Sequence, residues 1–202
     1  MNKEKNIALS ALKHLKSILM SYSPISEETW LDYKQCLTTK HLSKGEVLYY
    51  QGEEPTHFAF IHSGLMRAYL SDEEGNEFNK NFFNEGRFPG SMSALINSEQ
   101  SFLTIEAIEN CNIIEIEFSL FRKVLFESSE LMKFHIRYLE KHWLIEKEIK
   151  EVSFLQFEAK QRYLTFLAEY QEISPRLTQY HIASYLGITP TQLSRIRKSI
   201  KK

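Results

Sequence analysis

The sequence predicts an α+β protein. It has an antiparallel, jelly-roll-like β-roll, then a long dimerisation helix, then an all-α helix-turn-helix domain with too few residues after it for a full wing. Three observations predict this. Six of the seven glycines (Gly45, Gly52, Gly64, Gly75, Gly86, Gly90) fall among short aromatic and β-branched runs, and the seventh, Gly187, interrupts a helical pattern near the end. Residues 128–154 carry helical periodicity without a glycine or proline. Residues 176–202 hold six Lys/Arg and no Asp/Glu, which leaves 19 Lys/Arg against 26 Asp/Glu in the rest, so a basic module sits on an acidic body. The expected division is 1–127 for N-terminal helices and roll, 128–154 for the long helix, and 155–202 for the helix-turn-helix domain.

The first 40 residues read as two helices. Ile7, Ala11, Leu15 and Ile18 recur at helical spacing, and Ser26 before Glu27 and Glu28 reads as the N-cap of a second helix with an apolar face of Trp30, Tyr33 and Leu37. Strands are expected at 47–50, 58–62, 65–70, 78–83, 103–108 and 112–116. Glycine turns punctuate them in the way an antiparallel roll requires. A short helix over 120–126 stops at Ser128-Ser129. In the long helix that follows, Leu131, His135, Tyr138, His142, Ile145, Ile149 and Val152 form one stripe. Met132, Ile136, Leu139 and Trp143 form another. A helix apolar on two faces packs on two things; the first stripe is assigned to an identical helix in a parallel homodimer and the second to the roll.

A further helix over 158–170 carries Ala159, Tyr163, Phe166, Leu167 and Tyr170. Thr178 is then an N-cap, Gly187 a turn, and Thr189 with Gln192 a capping box around Pro190. Ile182, Leu186, Leu193 and Ile196 supply a small core, and Ala183 is small where two helices approach. This is the helix-turn-helix pattern. Its candidate DNA contacts are Thr178, Gln179, Thr189, Thr191, Gln192, Arg195, Arg197 and Lys198. Arginine suits guanine, glutamine adenine and threonine a thymine methyl, while Arg197, Lys198, Lys201 and Lys202 are placed for phosphates.

Composition excludes several classes. No run approaches 18 apolar residues, and residues 1–20 interleave lysines with aliphatics, so neither a membrane span nor a signal peptide is expected and a cytoplasmic location is. Two cysteines, Cys36 and Cys111, are too few for a disulfide framework or an iron–sulfur cluster. The seven histidines contain no His-x-His pair, which counts against a cupin-like metalloenzyme. No P-loop, dinucleotide fingerprint or nucleophile–base motif is present, so no enzyme and no metal site is expected.

On these residues the chain resembles the Crp/Fnr superfamily of bacterial regulators. LTQYHIASYLGITPTQLSRIRK is similar to that family's helix-turn-helix, and SKGEVLYYQGEEP with FAFIHSGLMRAYL is similar to its cyclic-nucleotide-binding roll. The resemblance covers residues 25–200. It implies a homodimer, an effector sensed in the roll, an inverted-repeat DNA operator and, for an activator, RNA polymerase as partner. In the stretch FPGSMSALINSEQSFLTIEA, Ser91 stands where the family's ribose-binding glutamate would be and Ser101 near its phosphate-binding arginine. Arg87 is the one cation between Gly86 and Ala107. An unpaired buried anion is costly, which counts against cyclic AMP. The candidate effector pocket is Arg87, Gly90, Ser91, Met92, Ser93 and Ser101, its ligand unknown. A sensor of the same fold that binds a protein instead of DNA remains the alternative.

Overall fold

Residues 2–200 are described by a computed structural model. Two helices open the chain, α1 (Asn2–Tyr22) and α2 (Glu27–Lys34), and Ser26 caps α2 by accepting from the Thr29 N–H. Leu37 is not on the face of α2. It begins strand β1 (Leu37–Leu42), which pairs with β7 (Cys111–Glu117) along its whole length, from Leu37↔Ile116 to Leu42↔Cys111. Most β1 side chains are exposed, so this edge strand carries no apolar alternation to betray it.

The other strands are β2 (Val47–Tyr49), β3 (His57–Ser63), β4 (Met66–Ser71), β5 (Glu77–Phe83) and β6 (Thr104–Ala107), with the short helix α3 (Met92–Asn97) between β5 and β6. Among the described residues they form two antiparallel sheets, β1-β7-β3 and β2-β6-β4-β5. Period-two alternation divides β3 cleanly. Phe58 and Phe60 face the helices, while Ala59 and Ile61 face the space between the sheets. That space is filled by Leu42, Leu48, Tyr49, Met66, Phe83, Leu103, Ile105 and Ile113, all buried. Each such side chain contributes about 1.5–3 kcal/mol by leaving water. Gly64, at φ +104°, is required twice over: a Cβ there would also lie 2.5 Å from Cys111 Sγ.

Helix α4 (Phe118–Glu127) ends at Ser128, whose N–H bonds back to Val124 O and whose Oγ caps α5 (Ser129–Leu139). The helix then runs through a π turn, Glu140–Ile145, into α6 (Glu146–Gln156). The π turn overturns the expected division of the long helix into a partner face and a roll face. Leu131 and Tyr138, expected at a two-fold seam, are buried in the protomer's own core, and His135 and His142 are half-buried there. Ile136, expected against the roll, is 54% exposed. An i→i+5 turn holds one residue more than an α turn, and one residue is about 100° of rotation. Past it, Glu146, Lys150 and Ser153 take the inward phase that Leu131, Phe134 and Tyr138 hold before it. Ile145, Ile149 and Val152 swing outward, with Ile145 57% exposed.

The head comprises α7 (Ala159–Glu169), a 3₁₀ turn (Ser174–Arg176), α8 (Gln179–Leu186) and α9 (Pro190–Ile200). It packs on the outer face of the β2-β6-β4-β5 sheet. Leu65, Phe82 and Ile108 of the roll share one core with Tyr163, Phe166, Ile182, Tyr185 and Leu193. Polar bonds fix the register. The Asn79 N–H donates to Ser184 Oγ at 2.9 Å, that hydroxyl donates to Glu77 O at 2.7 Å, and Asn79 Nδ2 donates to His181 O at 3.2 Å. Arg176 closes the edge by pairing with Glu85 at 3.0 Å and Glu109 at 2.6 Å.

Candidate nucleic-acid interface and effector pocket

The recognition surface is built by its caps. Thr178 Oγ1 accepts from the His181 N–H at 3.2 Å and starts α8; Gly187, left-handed at φ +65°, lets the chain turn. The Gln192 N–H donates to Thr189 Oγ1 at 3.2 Å and the Thr189 N–H donates to Gln192 Oε1 at 2.9 Å, a reciprocal capping box at the start of α9. Leu193 is fully buried against Ile182, Ala183 and Leu186, and this fixes which side of α9 is free. The free side carries Thr191, Arg195 and Lys198, all exposed and spaced i, i+4, i+7. Thr178, Gln179 and Thr189 are exposed beside it, and Arg197 is half-buried.

Gln192 is exposed but not fully available. Reading adenine takes both its carboxamide oxygen and its nitrogen, and the oxygen is engaged in the cap. Lys201 and Lys202 lie outside the described residues.

The six expected effector-pocket residues do not converge. Arg87 turns away from the roll and pairs with Glu146 on α6, Nη2 to Oε2 at 2.9 Å, at the edge of a cleft of about 540 Å³ between α6, α7 and the end of β5. This pairing and that of His142 hold the Glu146 carboxyl down at about 2 against the opposing effect of its own burial. Ser91 is buried, and its N–H donates to Tyr49 Oη inside the roll. Ser101 is spent on a local turn, accepting from Leu103 N–H at 3.0 Å and donating to Leu103 O at 2.7 Å. Gly90 lies where a Cβ would be 2.7 Å from Phe58 Cβ, Met92 packs against the aromatic core, and Ser93 is exposed. The expectation failed because a loop's sequence does not say which way each side chain points.

The pattern also gave no sign of Arg67. It lies in β4, is 4% exposed, and bonds Glu77 at 2.7 Å, Glu106, and Asn79 at 3.2 Å, with its guanidinium 3.9 Å from the Tyr69 ring centre. Its Nη1 lies 3.5 Å from His181 Nδ1 in α8. Burial, with Arg67 adding to it, drives the His181 imidazole down to about 4. Among the described residues no group of three or more His, Cys, Asp or Glu is arranged to hold a metal ion, and no helix is long and apolar enough to cross a membrane.

The sequence profile of the cyclic nucleotide-binding domain matches residues 39–128, the roll and α4. The cAMP-activated global transcriptional regulator CRP of Escherichia coli O6:H1 is 22% identical over 175 residues, 82% of this chain and 83% of that protein. The c-di-GMP responsive global regulator CLP of Xanthomonas campestris superposes with a TM-score of 0.68 at 14% identity, over 87% of this chain and 92% of that one. A regulator assigned to the crp/fnr family from Eubacterium rectale superposes at 0.61 with 19% identity, over 90% and 88%. A roll of the cyclic-nucleotide-binding type joined by a long helix to a helix-turn-helix head defines the class. Residues 39–128 match the cyclic nucleotide-binding domain, and over most of its length the chain is similar in sequence and fold to Crp/Fnr regulators.

Proposed function

We propose that the chain is a DNA-binding transcription regulator that acts as a two-fold dimer. The observation that carries this reading is the recognition helix: a doubly capped α9 whose buried side is fixed by Leu193 and whose free side offers Thr191, Arg195 and Lys198. Arginine and threonine in that arrangement suit base edges, and the lysine suits phosphate. Dimerisation is supported by the outward stripe Ile136, Leu144, Ile145, Ile149, Val152 and Leu155, all exposed, the last at 85%. Apolar residues in a row on one helix face are what a second copy of that helix covers.

The test is selection from a random duplex pool followed by binding titrations at fixed salt. An inverted repeat with half-sites about one helical turn apart is expected to be enriched. Equal affinity for every duplex would refute sequence reading.

Cyclic AMP is not the ligand in this reading. The space between the sheets holds Tyr49, Met66 and Phe83, the Ser101 hydroxyl has spent its hydrogen bonds locally, and the buried Ser91 hydroxyl, which has no partner, has no cation beside it to meet a phosphate. Calorimetric titration should give no saturable heat in the micromolar range. A micromolar dissociation constant would overturn this.

A further inference from the structure

On the opposite side of β3 from the space between the sheets, an aromatic slot runs between the helices. Tyr33 of α2, Phe58 of β3, Phe88, Phe121 of α4, and Phe134 and Tyr138 of α5 line it, and Met92 and Trp143 stand half-buried at its rim. Two of its groups have unspent polar capacity. Tyr33 is 0% exposed and its hydroxyl has no hydrogen-bond partner, which is rare for a buried phenol and calls for a missing one. His135 packs edge-on to Phe121 at 5.6 Å between ring centres and makes no hydrogen bond among the described residues. Burial, helped by Arg122, keeps it neutral, with its pKa pushed down to about 4.

We propose that this slot binds a small neutral molecule with a flat apolar body and a single hydroxyl, of the phenol class. The ring would stack among Phe58, Phe88 and Phe134, and the hydroxyl would supply the bond that Tyr33 Oη lacks. A charged ligand is excluded by the same chemistry, since the lining holds no ionised group and aromatic walls do not solvate one. The slot has a volume of about 30 Å³, room for one or two waters. A phenol enters by displacing Met92, whose unbranched thioether repacks readily, and Trp143, which belongs to the π turn. Occupation therefore reaches the long helix at the point where its facing changes. This inference does not rest on DNA binding.

The experiment is fluorine NMR of para-fluorophenol, fluorobenzene and para-fluorobenzoate titrated with the full chain and with Tyr33→Phe. Para-fluorophenol is expected to bind saturably and about tenfold tighter than fluorobenzene, the value of one net hydrogen bond. The benzoate should stay free. In Tyr33→Phe the phenol's advantage should vanish while fluorobenzene binding persists, and the unliganded variant should melt higher, because an orphaned hydroxyl is gone. Absence of saturable phenol binding, an advantage that survives Tyr33→Phe, tighter binding of the benzoate, or a lower melting temperature of the variant would each overturn the proposal.

Discussion

Arg67 and Arg195 are both arginines on regular elements, and only one could be recognised in the sequence. Arg195 follows Pro190 and Thr191 by helical spacing, so its exposure is fixed by the position of Leu193. Strand alternation gives Arg67 a side of the sheet but not what covers that side, and α8 covers it. The two should therefore fail differently. Arg67→Ala leaves Glu77 and Glu106 without their cation at a buried site and should cost about 3 kcal/mol in urea unfolding. Arg195→Ala should leave unfolding unchanged. It should weaken operator binding by roughly 1–3 kcal/mol while changing random-duplex binding less, whereas Lys198→Ala should weaken all duplexes alike and flatten the salt dependence. Equal losses on both duplexes for Arg195→Ala would assign that residue to the backbone rather than to bases.

At the scale of elements, most of the fold was legible because glycines and caps mark it. Six strands, the stop at Ser128 and the three head helices begin and end within a few residues of where the pattern puts them. What escaped has a physical reason in each case. β1 is an edge strand with four of its six side chains exposed, and the π turn has no residue signature, since it is a property of hydrogen-bond register rather than of side chains. The seam assignment was wrong for the upstream half of the long helix for that reason. Two aspartate substitutions separate the halves. Ile145→Asp, on the exposed stripe, should lower the apparent mass in light scattering from dimer to monomer without loss of helicity. Leu131→Asp buries a carboxylate in the core and should unfold the protomer. A wild-type chain that scatters as a monomer at micromolar concentration would refute the dimer.

For the whole molecule, acid should act in two stages. His135 and His181 are held neutral with values pushed down to about 4 from the usual 6.5, so below 6.5 the unfolded chain binds protons that the folded one refuses. Stability therefore falls as pH drops from 6.5 toward 4, and unfolding near pH 5 should take up about two protons. Glu115, held down to about 2 by His57 and Lys40 despite its burial, and Glu146, at about 2, add a second loss as pH falls below 4.5. A flat unfolding midpoint between pH 7 and 5 would refute the first stage. His181 lies at the joint between head and roll and His135 in the aromatic slot, so the first stage loosens both. The π turn, finally, acts as a phase shifter between the two halves of one rod. Deleting one residue within Glu140–Ile145 would restore α register and leave the downstream facing unchanged, whereas keeping all six residues and winding them as α would rotate everything downstream by about 100°. Ile145, Ile149 and Val152 would then face the protomer's own interior while Glu146 and Lys150 met solvent. Whether this chain shows a second copy an oily or a charged flank is thus set by how a single surplus peptide unit is wound, whatever side chain that unit bears.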